Sequence, residues 1–128
     1  MEKNKVVLSR LDSATAAALL AGMAHLDPAG TTTEADTAAM AATGQCFAAT
    51  TDTSQAAYVI TVKNGVAWVD ACKGQGAVPW SCLLLPVIEA QAAGCRAVAF
   101  QTARRGLVRQ AQRQGYTVTG WILKKALP

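Results

Sequence analysis

Residues 70–91, DACKGQGAVPWSCLLLPVIEAQ, pass from a strand-like segment through two glycines into an apolar, helix-like segment. A glycine turn that leads into a helix can serve two purposes. Unpaired N–H groups and the positive end of the helix dipole can bind an anion, which glycine lets the backbone approach closely. The same glycines can also form only a turn. Both interpretations of Gly74-Gln75-Gly76 are open at this point.

The residues before this stretch predict a β-hairpin. Residues 57–72, AYVITVKNGVAWVDAC, are two runs rich in β-branched and aromatic residues. They are joined by Asn64-Gly65, the pair that favours a type I′ turn. A slip of one residue in this hairpin would exchange its two faces. The predicted partners are Lys63 with Val66, Thr61 with Trp68, and Val59 with Asp70.

The rest of the chain alternates between helix and strand signals. Asp12 and Ser13 are candidate caps for an alanine-rich helix, and Asp27-Pro28-Ala29-Gly30 ends that helix. The order that follows is β-α-α-β-β-β-α-β-α-β, an α/β (α+β) fold with a mixed sheet. Besides the hairpin, the predicted elements are strand 5–11, helix 14–26, helix 31–44, strand 45–50, helix 81–94, strand 95–102, helix 103–115 and strand 116–127.

Length and composition limit the class of protein. A chain of 128 residues that is 52% hydrophobic predicts a single domain, 1–128, with its own core. We expect no membrane span and no signal peptide, and therefore a cytoplasmic location. Four dispersed cysteines and a single histidine, His25, lack the spacing of a metal site, so we expect no metal.

The charge is distributed unevenly. Residues 90–128 contain seven Lys/Arg and no acidic residue, whereas all eight Asp/Glu precede them. Arg105, Arg109 and Arg113 recur every four residues and therefore share one face of the predicted fourth helix. This face is either a solvated surface or a contact for an anionic partner: a phosphorylated cofactor, a nucleic acid or an acidic protein.

The element order resembles that of the GNAT (GCN5-related N-acetyltransferase) fold over nearly the whole chain. The most similar part is LLLPVIEAQAAGCRAVAFQTARRGLVRQAQRQGYTVTGWILKKAL, residues 83–127, with Gly115-Tyr116 at the family's usual Gly-Phe position before the last strand. The resemblance implies acetyl-CoA as cofactor and an amine as substrate. It also implies that the diphosphate lies on backbone N–H groups of the loop after the fourth strand. By this resemblance, the cofactor-binding residues are Ala71, Cys72, Lys73, Gly74, Gln75, Gly76 and Ala77.

The chain differs from the family pattern at the positions that bind the cofactor or act in catalysis. Ala71 holds the position of the family's Gln or Arg, and Val78-Pro79-Trp80 lengthens the loop. In the following helix, Arg104 and Ala111 stand where many members have an Asn and a general-acid Tyr. Loss of a general acid is compatible with acyl transfer, because thiolate is a good leaving group.

Asp70 is the candidate catalytic base, since it is the acid near the point where substrate and thioester would meet. It can equally pair with Lys63 or another cation at the strand end. The resemblance therefore favours an N-acyltransferase that acts by direct attack of an amine. The alternative is a GNAT-fold module without catalysis, such as a phage virion or internal protein located in the host cytoplasm or the virion. The last strand, with Trp121 and Ile122, offers an exposed edge for a homodimer or an assembly subunit.

Overall fold

The computed structural model describes residues 5–21 and 34–128. The predicted element order is confirmed as far as the fourth helix, and the fold is a mixed α/β (α+β) architecture. His25, Thr33 near the start of the predicted second helix, and the predicted Asp27–Gly30 turn lie outside the described residues. The elements are β1 (Val7–Leu11), α1 (Ser13–Leu20), α2 (Glu34–Thr43), β2 (Gln45–Thr50), β3 (Gln55–Lys63), β4 (Val66–Gln75), α3 (Trp80–Gln91), β5 (Ala97–Ala99) and α4 (Arg105–Arg113).

The five strands form one sheet in the order β1-β2-β3-β4-β5. The first three pairings are antiparallel, and β4 pairs with β5 in parallel. Short connections join β2 to β3 and β3 to β4, as expected for antiparallel neighbours, whereas α1 and α2 lie between β1 and β2. The parallel ladder is short, because it runs only from Val66 opposite Ala97 to Trp68 opposite Ala99. Beyond Trp68, β4 continues without β5 beside it.

The hairpin of β3 and β4 forms at the predicted turn. Asn64 and Gly65 have φ angles of 53° and 76°, the two positive values that a type I′ turn requires. The predicted pairs nearest the turn, Lys63 with Val66 and Thr61 with Trp68, are confirmed.

The predicted pairing of Val59 with Asp70 is wrong, because the register shifts between Val59 and Ile60. Ile60 pairs with Val69 and Val59 pairs with Ala71, so Asp70 is the extra residue of a β-bulge. A bulge moves every later residue to the opposite face of the strand. Ala71 therefore shares a face with Val59, whereas an unbroken ladder would have placed Cys72 there.

The sheet is covered on both faces. On one face, α1 and α2 bury a small-residue cluster, which joins Ala16, Leu20, Ala41, Cys46, Ala57, Val59 and Ala71. On the other face, α3 covers a second cluster formed by Ala49, Ala56, Tyr58, Ile60, Ala67, Trp80, Leu84 and Ile88. Asp12 begins α1 as predicted, since its Oδ1 accepts a hydrogen bond of 2.7 Å from the backbone N–H of Thr15.

Helix α4 lies against α3. The Gln114 side chain donates from Nε2 to the Ser81 carbonyl at 3.1 Å, and Gly115, with φ of 94°, ends the helix where predicted. The Tyr116 N–H donates back to the Ala111 carbonyl at 3.0 Å, which is the long hydrogen bond of a Schellman motif.

The strand predicted for residues 116–127 does not form. Residues 116–128 have no regular secondary structure, and nearly all of them are exposed. The composition has strand propensity, but β propensity reflects packing against a neighbouring strand more than the backbone itself. In the described structure no strand lies beside this segment.

Candidate functional site

The most distinctive feature of the sheet is the place where β4 and β5 part. The last pair of their ladder is Trp68 with Ala99, and the bulge residue Asp70 follows two positions later. From Val69 to Gln75, β4 is paired with β3 on one side and with no described strand on the other. Its outer backbone N–H and C=O groups are therefore available to an extended ligand.

Asp70 is partly buried on the face of the sheet that α1 and α2 cover. Its Oδ2 accepts a hydrogen bond of 2.7 Å from the Thr61 hydroxyl, and not from Lys63, its predicted alternative partner. An ionised carboxylate can accept about four hydrogen bonds, so one donor leaves it able to accept a proton or a water. The bulge thus brings a carboxylate to the point where the β4 edge becomes unpaired.

The prediction that Gly74 and Gln75 lie in a loop is wrong, because both residues belong to β4. They pair with Ala56 and Gln55 of β3, which extends β4 to Gln75. The connection to α3 is therefore the shorter segment 76–79. The reason is that β3 begins at Gln55 and offers a partner for β4 as far as Gln75.

The close packing around Gly74 and Gly76 explains why both positions are glycine. A Cβ on Gly74 would lie 2.5 Å from Cδ1 of Trp80, whose Nε1–H donates to the Gln75 carbonyl at 3.1 Å. Gly76 has φ of +98°, and a Cβ there would lie 2.4 Å from Oγ of Ser54. The glycines thus let the chain's own atoms approach closely, which accounts for them without a ligand.

The N-terminus of α3 nevertheless has unused donors. Pro79 occupies the N-cap position and makes no side-chain cap. The Val78 N–H donates to Ser54 Oγ at 3.0 Å, and the Trp80 N–H donates to the Val78 carbonyl at 2.9 Å. Among the described residues, the N–H groups of Ala77 and Ser81 have no acceptor. Two donors and the positive end of a 12-residue helix therefore lie in and just after the connection that follows β4.

The side chains of the predicted cofactor-binding residues point in different directions. Lys73 pairs with Ala57, on the face that α1 covers, and its Nζ donates to the Ala21 carbonyl at 2.5 Å. Ala71 is buried on that same face. Cys72 packs on the α3 face. Any contact of Ala71 with a cofactor would thus have to use its backbone.

The sequence did not predict that a cation, Arg104, lies near Cys72. Burial raises the pKa of its thiol to about 12, and the positive charge of Arg104 opposes part of this rise. Arg104 therefore lies close enough to β4 to act on Cys72 electrostatically. In the sequence, Arg104 was only the residue that replaces the family's Asn, and no local pattern indicated that it would lie near Cys72.

A polar cavity of about 440 Å³ lies beside Gly76, which forms part of its lining. It is open to solvent and contains no charged side chain. The sequence feature that could have indicated this cavity is the hydroxyl-rich turn TDTS, residues 51–54, between β2 and β3. The residues that line the cavity come from this turn, from the adjoining ends of β2 and β3, and from the end of β4 with the residue after it: Thr50, Thr51, Thr53, Ser54, Gln55, Gln75 and Gly76.

The arginines predicted to share a face do so. Arg105, Arg109 and Arg113 are all exposed along α4, and none forms an ion pair with a carboxylate of the described residues. In residues 5–21 and 34–128, no group of three or more His, Cys, Asp or Glu side chains could hold a metal ion. No helix in that part of the chain is long and apolar enough to span a membrane.

Comparison with solved structures places this geometry in a known fold. Ribosomal-protein-alanine N-acetyltransferase from Brucella melitensis biovar Abortus 2308 superposes with a TM-score of 0.50, covering 96% of this chain and 99% of that chain. The fold is GNAT-like. The sequence identity is 11%, so the similarity shows the fold and not the reaction.

Two further structures superpose with lower scores. TTHA1254 from Thermus thermophilus has a TM-score of 0.46 at 17% identity and covers 94% of this chain and 96% of that chain. Glucosamine-6-phosphate N-acetyltransferase from Arabidopsis thaliana has a TM-score of 0.46 at 9% identity, with 97% and 99% covered. No family model and no curated protein matches the sequence. The comparisons give no support to a phage origin.

Proposed function

We propose that the protein is an acyl-CoA-dependent N-acyltransferase that uses acetyl-CoA and transfers the acetyl group to an amine by direct attack. The observation that carries the proposal is the unpaired edge of β4 over residues 69–75. This edge begins beside a carboxylate, Asp70, and ends at the N-terminus of α3. The GNAT-like fold supports the same assignment, since the Brucella protein that shares it is an N-acetyltransferase.

The residues present fit an acyl-CoA. The unpaired N–H groups of Ala77 and Ser81 would hold the diphosphate, because donors and a helix dipole favour anions there. The amide-bearing arm would lie along the β4 edge over residues 71–75, where the backbone groups of alternate residues point away from β3 and can pair with an extended ligand. Arg104, and not the predicted cofactor-binding residue Lys73, would supply positive charge near the cofactor, since Lys73 donates to Ala21 on the face that α1 covers.

Asp70 would act as the base for the incoming amine. A bound acyl-CoA would supply the acyl group as a reactive thioester. The amine nitrogen would form the new bond to the acyl carbon while the C–S bond breaks, and Asp70 would take the amine proton directly or through water. Thr61, which donates to Oδ2, would orient the carboxylate.

Cys72 and Ala111 limit which nucleophile and which general acid the mechanism can use. The raised pKa of Cys72 keeps it a thiol near neutral pH, so it is a poor nucleophile and direct attack is favoured over a covalent acyl-cysteine. Ala111 is buried in α4, where many members carry a general-acid tyrosine, and it has no proton to donate. The leaving thiolate would therefore take its proton from water.

The test is calorimetric titration with acetyl-CoA and with desulfo-CoA. Gly76→Asp is an unsuitable variant, because any Cβ there meets Ser54. Ala77→Asp instead places a carboxylate on an exposed residue at the proposed diphosphate site. The matched control is Ala93→Asp, in the turn after α3 and outside the proposed site.

The proposal predicts micromolar binding by the parent protein and by Ala93→Asp, and binding weakened at least tenfold in Ala77→Asp. No heat from either ligand at millimolar concentration would contradict it. If both variants bind equally tightly, the diphosphate does not bind at the N-terminus of α3. Where binding holds, a screen of amines with acetyl-CoA then tests turnover and separates the transferase from the inactive module.

A further inference from the structure

Trp68 is a large aromatic side chain that lies outside the core. It is half-buried, and it belongs neither to the two core clusters nor to the described hydrophobic residues packed against them. Among the residues that the structure describes, its ring pairs with no aromatic ring and no cation. Its Nε1–H is accessible and has no acceptor there. A buried indole usually pairs its N–H, so Trp68 is instead available to a ligand.

Trp68 and Asp70 lie on the same face of the sheet. Trp68 pairs with Thr61 across the hairpin, so the side chains of these two residues project from one face. The Thr61 hydroxyl donates to Asp70 Oδ2 at 2.7 Å. Trp68 and Asp70 are therefore both neighbours of the Thr61 side chain, at the point where the ladder with β5 ends and the β4 edge becomes unpaired.

The negative charge at Asp70 is not balanced by the described part of the chain. Oδ1 of Asp70 is accessible and accepts no hydrogen bond there, and no Lys or Arg side chain of those residues forms an ion pair with the carboxylate. Helix α2 also ends beside Thr61, since a Cβ on Gly44, the residue after the helix, would lie 3.2 Å from Thr61 Cγ2. The C-terminal end of a helix is partially negative, and α2 has no basic residue in its last turn. A ligand would therefore have to supply the positive charge.

A carboxylate beside an aromatic ring suits an organic ammonium ion. The ammonium group can donate to the free Oδ1 of Asp70 while its carbon chain lies over the indole, whose electron-rich face attracts a cation. A carboxylate or phosphate next to the nitrogen of the ligand would instead approach Asp70 and the negative end of α2, which repel it. The surroundings of Asp70 thus distinguish amines by the charge near their nitrogen.

We propose that Trp68 and Asp70 form the acceptor site, and that they select a primary amine that binds as a cation and has no carboxylate or phosphate beside its nitrogen. Trp68 is the specificity-determining residue, since it contacts the carbon chain of the amine and not the reacting atoms. The role of this amine as acyl acceptor rests on the proposed function. The ammonium ion is held where the unpaired β4 edge begins, and Asp70 can then take one of its protons.

The test compares n-butylamine with three molecules that each change one group. Norvaline adds a carboxylate to the carbon that carries the amine, norvalinamide replaces this carboxylate with a neutral amide, and n-butanol replaces the amine with a hydroxyl. Each is titrated at constant pH and ionic strength into ¹⁵N-labelled protein, whose three tryptophans give three indole N–H signals. Butylamine and norvalinamide should shift the Trp68 signal at millimolar concentration and leave those of Trp80 and Trp121 unchanged. Norvaline and butanol should bind at least tenfold more weakly.

Variants then test each side chain, with binding followed through the backbone amide signal of Thr61. Asp70→Asn should weaken butylamine binding about tenfold or more, and Trp68→Leu about fivefold. Trp68→Phe should retain more affinity than Trp68→Leu, because it keeps an aromatic ring. The control is Trp121→Leu, at an exposed tryptophan after α4, which should bind like the parent. A well-dispersed amide spectrum checks that each variant is folded.

An unshifted Trp68 signal at millimolar butylamine would overturn the proposal. So would norvaline that binds as tightly as butylamine, or a Trp68→Leu variant with unchanged affinity. Titration of acetyl-CoA into the same sample separates this proposal from the proposed function. If acetyl-CoA binds and butylamine does not, only the amine selectivity fails. If butylamine binds and acetyl-CoA does not, the cation site stands and the acyltransferase function fails.

Discussion

Gly76 should be required for stability whatever the protein binds. A Cβ at this position would lie 2.4 Å from Ser54 Oγ, 2.7 Å from the Thr53 carbonyl oxygen and 2.8 Å from Ser54 Cα. The hydroxyl could rotate away, but two of the three atoms belong to the backbone. The backbone also has φ of +98°, a conformation that alanine adopts only with strain.

The size of the effect of Gly76→Ala follows from these two contributions. Holding a non-glycine residue in such a conformation costs about 1–3 kcal/mol. Forcing an extra methyl group into packed surroundings costs about another 1–3 kcal/mol. The free energy of unfolding should therefore fall by about 2–6 kcal/mol, a large part of the 5–15 kcal/mol typical of a domain.

Urea denaturation measures this loss. With a slope of about 2 kcal/mol per molar urea, the midpoint should fall by about 1–3 M. The control is Gly94→Ala, because a Cβ on Gly94 meets nothing within 4 Å, and its free energy of unfolding should change by no more than about 0.5 kcal/mol. If Gly76→Ala unfolds at the same urea concentration as the parent, the contact between residues 76 and 54 is not formed as described.

Three further predictions concern single side chains. Hydrogen bonding from the Thr15 backbone lowers the pKa of Asp12 below its ordinary 3.8, so the cap stabilises the fold above that pH and is lost as pH falls through the lower folded value. Asp12→Asn should keep the cap but remove this contribution to the loss of melting temperature in acid, measured in thermal melts across a pH series. If the melting temperature of Asp12→Asn falls with pH as it does in the parent, the cap does not contribute in this way. Exposed Cys82 should react with Ellman's reagent at pH 8 well before Cys72, whose pKa burial raises to about 12, and Cys82→Ser should abolish the fast phase. Asp70→Asn should lower kcat about 10²–10⁴-fold in steady-state assays once an amine substrate is known, and an unchanged kcat would exclude Asp70 as the base.

The sequence predicted those parts of the fold that depend on local signals. Asn64-Gly65 set the turn, Asp12 set the start of α1, and Gly115 set the end of α4. Each signal acts within a few residues, so it can be read without knowing what lies across the sheet.

The remaining parts depend on contacts between distant segments. The bulge at Asp70 leaves no mark in the alternation of residues 57–72, yet it decides which face Ala71 and Cys72 occupy. Gly74 looked like a loop glycine, but β3 pairs with it and Trp80 packs over it. For the same reason the sequence could place a carboxylate near the site but could not show that Arg104 lies close enough to Cys72 to act on its thiol electrostatically.

The most direct test of the central claim is to map acetyl-CoA binding by amide chemical shifts in ¹⁵N-labelled protein. Binding along the β4 edge predicts the largest shifts at residues 69–77 and at Ser81, with much smaller ones at the α4 arginines, Arg105, Arg109 and Arg113. Shifts confined to those arginines, or no shifts at millimolar acetyl-CoA, would contradict the assignment of the β4 edge as the acyl-CoA site.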